Sequence, residues 1–213
     1  MQKIAIFDVD YTLTKKETLV EFYKFMVKKK PILLLHIFKI IIIGILYMLR
    51  IINFKKAKEY MISFINGIEE KDMKNIVEEF YRKKLSRILY KDAIDTMKKL
   101  KSEGYKIFLI SASAEFYLNE LYNIKEVDKI IGTRIKVENG RYIRGFEGEN
   151  CKGDEKVKRL IEELKKEKMD VNFKDSLAFS DSLSDLPLFK LVGHPYLING
   201  RKNKNNVEIL KWR

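Results

Sequence analysis

Lys3-Ile4-Ala5-Ile6-Phe7-Asp8-Val9-Asp10-Tyr11-Thr12-Leu13-Thr14 begins as a short apolar run and ends in two carboxylates. The first half, with its β-branched isoleucines, reads as a strand buried on both faces. Asp8 and Asp10 stand where that strand should end. Residues two apart in a strand point to the same side, so both acids can face one site. Two anions that close are unfavourable unless a cation or a shared proton relieves them. On this stretch alone, an acidic turn capping a strand fits as well as an active site.

Two further apolar runs end in the same way. Tyr105-Lys106-Ile107-Phe108-Leu109-Ile110 leads into Ser111-Ala112-Ser113-Ala114, and Ser176-Leu177-Ala178-Phe179 leads into Ser180-Asp181-Ser182-Leu183-Ser184-Asp185. Helical patterns separate them. One runs from Asp92 through Lys101 and stops at Gly104, one spans Glu115 to Tyr122, and one spans Gly153 to Lys168 with Val157, Leu160, Ile161 and Leu164 on one face. Ile130 to Glu147 reads as a hairpin turning at Asn139-Gly140, and Leu197-Ile198 as a last short strand. Strands alternating with helices predict an α/β fold, a Rossmann-like doubly wound parallel sheet. In such sheets ligands bind at the carboxyl ends of the strands, where the three polar clusters would meet.

Between the first and second of these strands the pattern is helical throughout. Leu19, Phe22, Tyr23 and Met26 recur at helical spacing before Pro31; Lys56 to Ile65 ends at Asn66-Gly67; Asp72 to Leu89 carries a long apolar face. Residues 15–90 therefore read as an all-helical cap inserted into a core of residues 1–14 and 91–213. Within the cap, Ile32 to Ile52 is almost wholly apolar and long enough to span a bilayer. His36, Lys39, Tyr47 and Arg50 fall within about a quarter of its circumference at 3.6 residues per turn. Three readings compete: a transmembrane span, a helix or hairpin broken near Gly44 and packed inside the cap, and a cap helix resting on a membrane surface. The first would put Asp8 and everything after residue 52 on opposite sides of a membrane, and Lys39 near mid-span would cost about 2.5–3.5 kcal/mol on insertion scales.

The chain has 213 residues, 46% hydrophobic and 34% charged, as expected for one globular core with an appendage. Its net charge of +13 raises the question of nucleic acid. The basic residues read as spread along the chain, with a short cluster at Lys28-Lys29-Lys30 and a Lys/Asn-rich stretch from Arg201 to Lys204. No basic motif interleaved with aromatics accompanies them, so no nucleic-acid partner is expected; an anionic small substrate would benefit from the same field. A single cysteine, Cys151, and a strand beginning near position 1 with no leader ahead of it predict a cytoplasmic protein.

Taken together the motifs resemble those of the haloacid dehalogenase-like (HAD) phosphohydrolases, in particular subfamily IB, which includes phosphoserine phosphatase. Motif I of that family, DxDx[T/V], stands as Asp8-Val9-Asp10-Tyr11-Thr12. Ser111 is similar to the motif II hydroxyl, Lys156 in Cys151-Lys152-Gly153-Asp154-Glu155-Lys156 to the motif III lysine (with Lys152 as competitor), and Asp181 and Asp185 to the acidic pair of motif IV. The motifs occur in order across nearly the whole chain, and this branch carries its cap between motifs I and II.

The resemblance implies a phosphomonoester hydrolase. Asp8 would attack phosphorus and form an aspartyl-phosphate, and Asp10 would protonate the leaving oxygen and then activate water. Asp8, the backbone carbonyl of Asp10, and Asp181 would ligate Mg²⁺. Ser111 and Lys156 would hold the phosphoryl oxygens. Thr12 would steady the loop after Asp8, and Asp185 would orient Lys156, assist the metal or cap the following helix. Glu17 has the spacing of a glutamate that phosphoserine phosphatases place near the substrate amine; an exposed first-turn glutamate fits equally.

Departures from that enzyme leave the substrate open. Ser180-Asp181-Ser182-Leu183-Ser184-Asp185 replaces a Gly-rich GDGxND, so Ser184 stands where a substrate-binding Asn would be, and Ala112 stands where a Gly would follow Ser111. The expected substrate is a small phosphorylated metabolite. The alternatives are a lipid-derived or amphiphilic phosphate at the membrane surface, with 32–52 as the contact and His36, Lys39 and Arg50 near the headgroup, or a phosphotransferase using the same intermediate.

Overall fold

The computed structural model describes residues 1–200 and 207–213; the Arg201 to Lys204 stretch lies outside the described residues. In chain order the elements are β1 (Ile4–Phe7), α1 (Thr18–Lys29), α2 (His36–Met48), α3 (Phe54–Met61), α4 (Glu70–Lys83), α5 (Lys91–Ser102), β2 (Lys106–Ala114), α6 (Glu115–Leu118), β3 (Val127–Thr133), β4 (Ile135–Glu138), β5 (Arg141–Phe146), α7 (Asp154–Lys166), β6 (Leu177–Ser180), α8 (Leu186–Leu191), β7 (His194–Ile198) and β8 (Glu208–Leu210). Six strands form one parallel sheet in the order β3-β2-β1-β6-β7-β8. The fold is α/β and Rossmann-like.

Alternation along the central strands builds two cores. Ala5, Phe7, Ile107, Leu109 and Phe179 face one cluster with α1, α5 and the cap, while Ile4, Ile6, Phe108, Ile110 and Ala178 face the other with α7 and α8. A strand buried on both faces has no room for polar alternation, which is why these runs are continuously apolar. Phe7 stands beside Leu109 on one flank and Phe179 on the other. That register brings Asp8, Ser111 and Asp181 to the same carboxyl edge.

The chain leaves this edge for the cap and returns beside itself. Lys15 N donates to the Ile88 carbonyl at 2.7 Å and Tyr90 N to the Leu13 carbonyl at 2.9 Å, so the two connections brace each other. The hairpin expected over Ile130 to Glu147 is shorter. Ile130 to Thr133 belong to β3 at the edge of the parallel sheet, and the antiparallel pair is β4–β5, turning through Asn139 and Gly140, both at positive φ. The hairpin then pairs with the cap. Gly67 N donates to the Tyr142 carbonyl at 2.8 Å and Tyr142 N to that of Ile68 at 2.9 Å, so the helical insert shares a β-type contact with a segment from after β3. The chain also does not end its sheet at Leu197-Ile198; β8 adds a further strand beside β7.

The apolar segment is neither a continuous rod nor packed inside the cap. Pro31–Leu35 form a 3-10 turn, α2 begins at His36, and the chain turns after Met48 with Arg50 at φ 59°. Gly44 sits within α2 and does not break it. Only Ile43 of α2 is buried, while His36 and the tip of the exposed Lys39 reach back to the cap. His36 Nε2 lies 3.1 Å from Ser63 Oγ, and Lys39 Nζ donates to the same oxygen at 2.8 Å.

Candidate active site

The three polar clusters meet in one cavity of about 580 Å³ between the carboxyl edge of the sheet and the cap. Asp8 follows directly from β1, and its backbone N–H donates to the Phe179 carbonyl at 2.9 Å. Lys156, from the first turn of α7, is almost wholly buried. It donates to Asp8 Oδ1 at 2.7 Å and to Asp185 Oδ2 at 2.6 Å. Lys152 does not compete for this place; its ammonium stands 4.9 Å above the Phe54 ring at the cavity wall. Asp185 Oδ2 also accepts from Ser180 Oγ at 2.8 Å, and its side chain makes no helix-cap hydrogen bond. Asp185 therefore orients Lys156 rather than capping α8. Thr12 reaches across the site, its Oγ accepting from Asp181 N at 2.8 Å, and so ties the motif I loop to the end of β6.

Asp10 is held from both the cap and the end of β2. Thr18 N donates to its Oδ1 at 2.7 Å and Ser113 Oγ to its Oδ2 at 2.5 Å. Thr18 Oγ donates in turn to Ser113 Oγ at 3.1 Å and lies 3.3 Å from the Tyr117 hydroxyl. The intervening Tyr11 is at φ 58° and half-exposed, a left-handed conformation that turns the backbone between Asp10 and Thr12. Ser111 lines the cavity, with its Oγ accepting from Ser113 N at 3.0 Å.

The electrostatics are those of an anionic pocket with too little counter-charge. Burial pushes Asp8 up to about 7, with Asp185 and Asp10 adding to the rise and Lys156 opposing it. Burial and then Asp185 push Asp181 up to about 6. Burial works against the Lys156 ammonium, but Asp8 and Asp185 outweigh it and hold its pKa above the ordinary lysine value. Asp185 Oδ1 is buried and has no hydrogen-bond partner among the described residues. A divalent cation fits this set. Among the described residues no three side chains of the His, Cys, Asp and Glu types form a metal cluster; a hard cation here would take one or two carboxylates, with a carbonyl, waters and substrate oxygen completing its shell.

Glu17, Ala112 and Ser184 also line the cavity. Glu17 is half-buried at the start of α1, and burial and then Asp10 raise its carboxyl. Arg50 does not line it: α2 ends at Met48, which leaves Arg50 exposed on the turn beyond. Lys58 was not anticipated from the sequence. It enters from α3 and donates to the Ala112 carbonyl at 2.6 Å and to Asn150 Oδ1 at 2.8 Å; burial lowers it to about 8. Thr133 completes that knot, donating to the Ala112 carbonyl at 2.6 Å. Such cross-chain contacts leave no local spacing to read.

The model of the haloacid dehalogenase-like hydrolases matches residues 5–190. The chain belongs to this family. It is 25% identical over 195 residues to the phosphoserine phosphatase of Methanocaldococcus jannaschii, covering 90% of this chain and 83% of that one. It is 25% identical over 170 residues to protein CicA of Caulobacter vibrioides, covering 75% and 71%. Among solved structures, a Bordetella pertussis Tohama I protein of unknown function superposes with a TM-score of 0.85 at 21% identity over 99% of this chain and 98% of its own. A substrate-bound phosphoserine phosphatase superposes with a TM-score of 0.64 at 21% identity over 94% and 87%.

Proposed function

We propose that the chain is a Mg²⁺-dependent phosphomonoester hydrolase acting through an aspartyl-phosphate on Asp8. The observation that carries this is the buried Asp8–Lys156–Asp185 chain at the end of β1. It fixes one carboxylate oxygen of Asp8 and leaves the other free as a nucleophile. Asp10, held by Thr18 and Ser113, would give its proton to the leaving oxygen and later take one from water. Ser111 and Lys156 would bind the equatorial phosphoryl oxygens as charge moves onto them.

Asp8, the Asp10 backbone carbonyl and Asp181 would hold the Mg²⁺, consistent with the raised Asp8 and Asp181 pKa values and the orphaned Asp185 oxygen nearby. When bound, the cation supplies charge neutralisation between Asp8 and the phosphoryl group. Thr12 positions Asp181, and Asp185 positions Lys156.

The cap side of the cavity favours a substrate with an apolar part. Leu19, Ile40, Ile43, Phe54, Ala57 and Met61 line it, a poor match for a small zwitterion alone and a good one for an amphiphilic phosphate whose headgroup meets Glu17 and Lys58.

Phosphate release from a generic aryl phosphate, with and without Mg²⁺, tests the reading. Activity should require Mg²⁺ and vanish in Asp8→Asn. Full activity in that variant refutes it. Release of a phosphorylated acceptor when alcohols are added would identify a phosphotransferase instead.

A further inference from the structure

Helix α2 is built inside out. His36 and Lys39 turn to Ser63, and Ile40, Ile43 and Tyr47 turn to the cavity. The opposite face carries Phe38, Ile41, Ile45 and Met48 at i, i+3, i+4 spacing, with Leu34 and Leu49 in the flanking turns, all exposed, Phe38 at 67% and Met48 at 81%. Over Pro31–Met48 the mean hydropathy is 2.3, yet only 6% of the window is buried. Soluble surfaces rarely leave so continuous an apolar face uncovered.

Charge identifies what covers it. Between Glu21 and Glu59 the sequence has no acidic residue and nine Lys or Arg, so this stretch holds nine of the thirteen net positive charges. The excess is thus concentrated, not spread along the chain as its composition first reads. Lys28 and Lys30 before the apolar face, and Arg50 and Lys56 after it, are exposed. Apolar residues on one face of a helix with basic residues at its rim are the composition of an interfacial helix on anionic lipid.

We infer that the outer face of α2 docks on an anionic phospholipid bilayer, lying in the headgroup layer with the catalytic cavity on its inner side. A second copy of the chain would set this basic rim against itself across a two-fold interface, where like charges repel. A transmembrane crossing would pull α2 from Ser63 and strip the cavity of Ile40, Ile43 and Tyr47. A surface helix keeps both.

Co-sedimentation with vesicles of phosphatidylcholine alone, or mixed with phosphatidylglycerol, tests this. The whole chain should pellet with the mixed vesicles and be released as salt screens the rim. The double variant Phe38→Glu/Ile45→Glu should bind at least about tenfold more weakly, since each side chain loses the gain from apolar burial. Its phosphate release from a soluble aryl phosphate should equal that of the unaltered chain, because neither residue lines the cavity. No pelleting with mixed vesicles, or undiminished pelleting of the variant, overturns the inference. So does a dimer broken by the variant in a chain that ignores vesicles. Loss of aryl phosphatase activity in the unaltered chain would strike the proposed reaction and leave the docking result standing.

Discussion

Thr12 offers a separation of stability from catalysis. Its hydroxyl is wholly buried and accepts the Asp181 N–H at 2.8 Å. Thr12→Val keeps the shape and removes the acceptor, leaving that N–H unpaired. A stranded buried donor costs about 1–3 kcal/mol. Asp181 is half-buried, and water reaching its backbone keeps the loss to the lower part, about 1–2 kcal/mol, or roughly 2–8 °C in Tm for a chain of this size. Thr12→Ser keeps the acceptor and loses a buried methyl, about 1 kcal/mol. The two variants should therefore melt at similar temperatures, below the unaltered chain. They should differ in the metal they need. Only the valine frees Asp181 to move, and if Asp181 holds the cation as proposed, losing its positioning partner costs about 10–100-fold in metal affinity. Calorimetry gives the first quantity, and a Mg²⁺ titration of aryl phosphate hydrolysis well below Tm gives the second. Equal Mg²⁺ requirements in the two variants would refute the role assigned to Thr12.

Two further expectations follow from single contacts. Lys58 has an ordinary pKa of 10.5 lowered by burial to about 8 in the fold. Between these values the unfolded chain binds the proton and the folded chain does not, so stability rises with pH; the penalty present below 8 is relieved by pH 10.5, on the order of 3 kcal/mol. In urea unfolding, Lys58→Met should lose this slope, its advantage over the unaltered chain shrinking from pH 8 to 10.5; a constant gap would count against the burial argument. Gly193→Ala places a Cβ 1.8 Å from the Lys174 carbonyl oxygen, a clash of backbone with side chain that should cost about 3 kcal/mol or more. Gly67→Ala, with nothing within 4 Å and φ +81°, should cost only the left-handed strain, about 1–2 kcal/mol; urea midpoints that rank the two in reverse would refute the packing at Gly193.

The sheet was legible because burial on both faces forces β1, β2 and β6 into unbroken apolar runs, each ended by polar residues at the same edge. The β3–hairpin division was not. Ile130 to Phe146 is one β-prone run, and only the pairing of Ile107 to Ile110 with the segment from Val127 to Ile131 assigns its first part to the sheet. At the site, Asp8, Asp10 and Asp181 stand at strand ends and announce themselves. Ser113 stands in the cluster that ends β2, but its task does not show there, and Lys58 does not show at all, because what gives each its role is a partner far away in sequence: Asp10 for the serine, and Asn150 with the Ala112 carbonyl for the lysine. Arg50 failed as a cavity residue for a local reason. Angular spacing assumes that the helix continues, and α2 stops two residues short of it.

The apolar segment shows where hydropathy runs out. A mean over residues reports how much apolar surface a helix has and not which way it faces. On α2 the polar stripe of His36, Lys39 and Tyr47 fits the active-site side as well as the side turned to water. Ser63 marks the side that His36 and Lys39 take. Its single oxygen takes both His36 and Lys39 while donating to the Tyr60 carbonyl at 2.7 Å, and that anchoring rolls the apolar side outward. Those contacts lie outside every motif, and nothing in the local sequence of α2 announces them. The cavity follows the same rotation. With His36 and Lys39 held by Ser63, Ile40 and Ile43 form part of the cavity wall, so the residues that shape the cavity and those exposed on the outer face lie on opposite sides of one helix. Any force that tilts α2 must move that wall.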